Sequence, residues 1–157
     1  MTNSGFEIRT ASVEDADQIR KITMEAFAKY QELAKTDYPL AALHETDEDI
    51  INDIKNKIVL VAYINGHVVG SVRVEVKGET AYLSRFGVST EFQNLGIGKA
   101  LMNLVDINMK VLGVKQLQLH TGAKISSLVR FYYGRGFYID STSKERDYIR
   151  AFLCKDY

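Results

Sequence analysis

Apolar and polar positions change their spacing several times along this chain, and each change marks an element. Phe6 to Arg9 alternate, which predicts a short first strand. Ser12 and Asp15 then form a capping signal, and Ile19, Ile22, Phe27 and Tyr30 recur at helical spacing. Residues 35–43 contain the only proline, Pro39, and read as a loop. Thr46 with Asp49 repeats the capping signal and starts a second helix through Ile50 and Ile54 to about Lys57. The period then drops from 3.6 to 2. Ile58 to Ile64 and His67 to Val76 form two strands around Asn65-Gly66, a hairpin turn because both residues tolerate positive φ. A third strand runs from about Ala81 to Val88. A long helix follows from about Gly96, with Leu101, Met102, Val105, Met109 and Leu112 on one stripe, and Gly113 ends it. Lys115 to Thr121 alternate again. Ile125 to Arg135 read as a helix stopped by Gly136, and Phe137 to Ile139 with Tyr148 to Cys154 read as a closing strand pair.

The resulting order, βααβββαβαββ, is an α+β pattern with a central sheet covered by helices on both faces. No repeat, low-complexity stretch or flexible linker divides the chain, so a single domain over residues 1–157 is expected. Basic and acidic residues balance at 20 each, which leaves no field to recruit nucleic acid or an anionic membrane. The longest apolar run, Ile58 to Ile64, is far short of the roughly 20 residues of a membrane span. The stretch Met1 to Phe6 has no basic and apolar regions of a leader, and Cys154 has no second cysteine to pair with. Together these point to a reducing cytoplasm and to a structural thiol.

The segment richest in chemistry is Val88-Ser-Thr-Glu-Phe-Gln93-Asn-Leu-Gly96-Ile-Gly98-Lys99. A strand ends there, and two glycines open a well-patterned helix. The first turn of a helix has unpaired N–H groups and a positive dipole end, and glycines let an anion approach them. A Walker P-loop would need a Gly at position 93 and a Ser or Thr at 100, where Gln93 and Ala100 stand. The dinucleotide fingerprint would need a Gly at 101, which is Leu101, and it also lacks a parallel βαβ context. The pattern Gln/Arg-x-x-Gly-x-Gly/Ala fits Gln93, Gly96 and Gly98.

With this turn the chain resembles the GNAT superfamily of N-acetyltransferases over nearly its whole length. Phe131-Tyr132-Tyr-Gly-Arg-Gly136-Phe137 matches that family's Tyr-x-x-x-Gly-Phe, and Leu83 to Val88 matches its strand ahead of the glycine turn. The resemblance implies a mixed, mostly antiparallel sheet flanked by helices on both faces. It also implies acetyl-coenzyme A as co-substrate. Its pyrophosphate would lie on the turn of Gln93, Asn94, Leu95, Gly96, Ile97, Gly98 and Lys99, and its pantetheine arm along the backbone of Phe86, Gly87 and Val88. Within that likeness the Val88 amide holds the oxyanion, and Tyr132 protonates the leaving thiolate. Lys99 and Lys124 stand near the two helix starts where phosphates would be expected. A homodimer through the last strands is a further implication of the resemblance.

The chain departs from the family in two places. Many relatives carry a glutamate base on the fourth strand, where this chain has Tyr82 and Ser84. The substitutes are a water chain held by Ser84 and Tyr82, or one of Glu75, His44, Glu45 and His120. The loop Thr121-Gly-Ala-Lys124 also lacks the asparagine common in relatives. The acceptor, a small-molecule amine or a peptide amino group, is expected between the first two helices, with Phe27, Tyr30, Tyr38, His44 and Glu45 as wall residues. No metal is expected, and no residue arrangement suggests an acyl-enzyme. The missing glutamate also fits a different function, a non-catalytic module that binds acyl-coenzyme A.

Overall fold

The computed structural model describes residues 5–157. Residues 1–4, on which the expectation of no leader partly rests, lie outside the described residues. Seven strands form one sheet: β1 (Glu7–Thr10), β2 (Ile58–Ile64), β3 (His67–Lys77), β4 (Thr80–Val88), β5 (Gln116–Gly122), β6 (Tyr138–Ser143) and β7 (Arg150–Asp156). Four helices accompany them: α1 (Ala16–Ala34), α2 (Asp47–Asn56), α3 (Ile97–Val111) and α4 (Ser126–Gly134). The chain order is the one the spacing predicts. Across the sheet the order is β1-β2-β3-β4-β5-β7-β6, and every neighbouring pair is antiparallel except β4 with β5.

Alternation along the strands sends side chains to two cores. Leu60, Val72, Leu83, Leu117, Leu119 and Leu153 pack with Leu101, Met102, Val105 and Met109 of α3 and with Tyr132 of α4. Val59, Val61 and Val68 pack with Ile19 and Ile22 of α1 and Ile50 of α2. The α3 stripe stops at Met109, and Leu112, expected on it, is 54% exposed because the helix ends there. Among the described residues no helix is long and apolar enough to cross a membrane. Cys154 is buried, and burial raises its thiol pKa.

Both capping signals are used. Asp15 Oδ2 accepts the Ser12 N–H at 2.7 Å, and Thr46 and Asp49 exchange bonds of 2.9 and 3.1 Å at the start of α2. The fully buried Arg73 of β3 holds the segment between α1 and α2 onto the sheet. Its guanidinium donates to both oxygens of Glu45, at 2.7 and 2.9 Å, and to Asp53 at 2.9 Å, while its Nε has no partner.

Candidate active site

Strands β4 and β5 pair only between Thr80–Tyr82 and Gln116–Gln118, and beyond that they part. A one-residue bulge helps to turn β4 away. Arg85 and Phe86 together face Val72 of β3, and Arg85 adopts a left-handed φ of 54°. Past the bulge, Ser89 donates to the Val69 carbonyl at 2.8 Å, which makes Val88 and Gly70 a non-hydrogen-bonded pair. The Val88 N–H therefore points away from β3, toward the gap. A cavity of about 300 Å³ opens between the parted strands, lined on β4 from Tyr82 to Phe86 and not by Val88.

Tyr82 and His120 face each other across the parted strands, with Tyr82 Oη 2.6 Å from His120 Nδ1. Both line the cavity, as does Ser84. Burial, then the charges of Arg150 and Arg146, hold the His120 pKa below its usual 6.5, so the imidazole is neutral at pH 7. Burial raises the pKa of Tyr82.

Tyr132 enters the same cavity from α4, its ring packed edge-on against Phe137 at 5.6 Å and tilted against Phe86 at 6.2 Å. Burial raises its phenol far above 10, with the charge of Tyr82 adding to the effect. Tyr132 is thus a neutral proton donor throughout the physiological range. Tyr133, its neighbour in sequence, is 51% exposed.

At the far end of β4, Asn94 and Gly96 take left-handed φ values of 67° and 83° and turn the chain into α3. The first α3 bond runs from Ala100 N–H to the Gly96 carbonyl at 3.0 Å, so the N–H groups of Ile97, Gly98 and Lys99 precede the helical ladder. A Cβ on Gly98 would lie 3.0 Å from the ring of Phe86, which stacks on Phe131 with centroids 5.4 Å apart. Gln93 spends its amide within the chain, donating to the Val88 carbonyl at 3.3 Å. Leu95, Lys99 and Lys124 are exposed. Gly87 has a packing reason beyond any backbone contact with a ligand, since a Cβ there would stand 2.5 Å from Ala26 Cβ on α1.

Of the wall residues expected for an acceptor, the structure brings only some to the cavity. Phe27 and Tyr30 line the cavity, and Tyr30 Oη lies 3.0 Å from Tyr148 Oη. His44 is exposed and outside the lining, and the Glu45 carboxylate is engaged by Arg73 and Arg85. Tyr38 sits beneath Arg146, whose Cζ is 5.6 Å from its ring centroid. Glu75 pairs with Tyr82 in the strand register without reaching the cavity. Arg146, Tyr148 and Arg150, none expected from the sequence, close the opposite wall. Only the long-range register of β7 against β5, Arg150 opposite Gly122 and Phe152 opposite His120, brings them there. Glu25 of α1 was also not expected; it accepts from Thr90 N–H at 2.6 Å and fixes the turn after β4. Among the described residues no group of His, Cys, Asp or Glu is placed to hold a metal ion.

Residues 14–153 match the family model described as an acetyltransferase (GNAT) domain. A spermidine N(1)-acetyltransferase of Thermoplasma acidophilum is 24% identical over 146 residues, covering 87% of this chain and 91% of the relative. The crystal structure of PaiA N-acetyltransferase from Thermoplasma acidophilum, solved with coenzyme A, superposes with a TM-score of 0.84 at 21% identity, over 100% of both chains. The ribosomal-protein-S18-alanine N-acetyltransferase of Escherichia coli gives a TM-score of 0.77 at 15% identity, over 96% of this chain and 93% of that one.

Proposed function

The chain belongs to the GNAT acetyltransferase family, and we propose that it forms one domain that moves an acetyl group from acetyl-coenzyme A to a primary amine by direct attack, with both molecules bound together. The observation that carries this reading is the parting of β4 and β5 beyond Tyr82 and Gln118. It leaves Tyr132 and the Tyr82–His120 pair lining one cavity, with the Val88 N–H turned away from β3 two residues past Phe86, the last β4 residue of the lining. The coenzyme A bound to the PaiA relative supports the choice of co-substrate.

The residues present fit that co-substrate. The N–H groups at the start of α3 would hold the pyrophosphate, with Lys99 and Lys124 at the exposed edge. The backbone of Phe86 to Val88, with the Val88 N–H turned toward the gap, would hold the pantetheine arm. When bound, acetyl-coenzyme A supplies an activated thioester. The Val88 N–H would stabilise the oxygen as it gains charge. An amine of pKa near 10 must lose a proton on attack, and His120 is the neutral base in reach. Tyr82 would pass its own hydroxyl proton to Nδ1 as it takes one from the amine. As the carbon–sulfur bond breaks, Tyr132 would donate its proton to the sulfur. Its buried phenolate is costly, so recovery of that proton must follow closely.

The test is thermal unfolding with saturating acetyl-coenzyme A, with ATP and NAD as controls. At about 100 times Kd the gain is about 2.7 kcal/mol, or roughly 5–10 °C in the midpoint. Thiol release on a panel of amines then separates an enzyme from a binding module. No shift with a folded protein overturns the reading, and a shift without turnover on any amine assigns the binding module instead.

A further inference from the structure

The acceptor side of the cavity presents cations and no carboxylate. Arg85 of β4, Arg146 of the β6–β7 connection and Arg150 of β7 all line it, and no Asp or Glu does. Arg85 is partly neutralised, with its Nε 3.3 Å from Glu45 Oε2. Among the described residues, Arg146 and Arg150 make no ion pair. Arg146 rests on the Tyr38 ring, which leaves the edge of its guanidinium free. Glu145 is the neighbouring carboxylate; it is exposed, it lies outside the lining, and its influence on His120 ranks below those of both arginines.

This lining suits one class of acceptor and opposes another. Spermidine, the acceptor in the name of one relative, is a polycation, and a second ammonium group would meet like charge here. A guanidinium fork matches a carboxylate or phosphate in two parallel hydrogen bonds. The cavity of about 300 Å³ lies at the small end of ligand sites, and the thioester end must share it.

Resting on the acetyltransferase reading above, we propose that the acceptor is a small primary amine that also carries an anionic group, a carboxylate or phosphate, held by Arg146 and Arg150 with its nitrogen beside the Tyr82–His120 pair. The anion neutralises the unpaired arginines and orients the nitrogen, so binding and positioning come from one contact. A polyamine would leave both arginines unpaired and add repulsion.

Matched acceptors test this in the thiol-release assay. Amino acids are compared with their decarboxylated amines, and ethanolamine phosphate with ethanolamine; spermidine stands for polycations. One anionic series should exceed its neutral partners in kcat/KM by about 10- to 100-fold, the scale of charge-assisted hydrogen bonds. Which series does so tells carboxylate from phosphate. Arg150→Gln should lower that ratio about tenfold, Arg150→Lys should restore part of it, and Arg150→Glu should turn the preference toward spermidine. Neutral amines or spermidine as the best acceptors overturn the proposal, as does a ratio that Arg150→Gln leaves unmoved in a folded protein. Acetyl-coenzyme A binding without turnover of any anionic amine overturns it as well. The thermal shift with acetyl-coenzyme A keeps the two conclusions apart, because its loss refutes the cofactor reading, whereas its retention with a preference for cations refutes only this one.

Discussion

Replacing Gly87 by alanine measures how closely α1 must lie on β4. Gly87 does not have a positive φ, so a methyl group there brings no backbone strain of its own. The new Cβ would stand 2.5 Å from Ala26 Cβ. Carbon atoms in contact sit about 3.5–4.0 Å apart, so α1 must retreat by about 1–1.5 Å or β4 must bow by as much. Ile19 and Ile22, fully or nearly buried against β2 and α2, resist that movement. Overpacking of this kind costs about 1–3 kcal/mol. For a chain of this size that lowers the unfolding midpoint by about 2–12 °C. A second loss should accompany the first, because α1 carries Phe27 and Tyr30 into the cavity wall. A misplacement of about 1 Å can cost up to 10²-fold in turnover. Thermal unfolding followed by circular dichroism, together with kcat/KM for the acceptor, measures both. Gly70→Ala is the comparison: its Cβ would meet Ile97 Cγ2 at 3.1 Å and the Gly87 carbonyl oxygen at 3.4 Å, a milder overlap on the α3 side that needs a shift of only about a few tenths of an ångström. A Gly87→Ala protein that melts within about 1 °C of the parent and keeps its acceptor kinetics would refute the claim that this approach shapes the site.

Three further outcomes are expected. Tyr132→Phe should lower kcat by about 10²- to 10⁴-fold and keep the thermal shift with acetyl-coenzyme A; a full-rate variant removes Tyr132 from the chemistry. Burial, Arg150 and Arg146 lower the His120 pKa, with Glu145 opposing them and Tyr82 at Nδ1, so kcat/KM corrected for amine ionisation should fall only as pH drops through a value below 6.5. Because the folded pKa is the lower one, the unfolded chain binds the proton first, and stability should also decline below pH 6.5; His120→Gln should lack both effects, and an acid limb above 6.5 contradicts the assignment. Arg73→Met removes the main partner of Glu45 and one partner of Asp53 and should cost about 3 kcal/mol in urea unfolding, near the low end for a broken buried pair because Glu45 keeps Arg85 and Asp53 keeps Lys57; adding Glu45→Gln and Asp53→Asn should return part of it.

The elements were legible because their signals are local. The Asn65-Gly66 turn, with φ values of 49° and 80°, and the two capping pairs needed only neighbouring residues. The glycine turn and Tyr132 were legible for the same reason, each lying inside one short motif. The proton acceptor proposed above was not. His120 was one name among four candidates, and what singles it out is its 2.6 Å contact with Tyr82, across 38 residues of sequence. Glu45 looked free in the sequence because Arg73 sits in the middle of an apolar strand pattern, where a buried guanidinium leaves no periodic trace. The arginine wall depends on the register of β7, and no spacing along the chain encodes that. The bulge at Arg85 and Phe86 was equally hidden, since neither residue is a glycine that would announce a left-handed φ.

The three-pair seam between β4 and β5 makes the sheet a pair of leaves on a short clasp. Four strands lie on one side and three on the other. Above the seam the facing amides have no strand partner, so hydrogen exchange there should be fast without a guest and slow with one. A bound arm that bonds to both edges becomes, in effect, an eighth strand that the ribosome never made. The molecule then gains rigidity from what it consumes and loses it again with each product released.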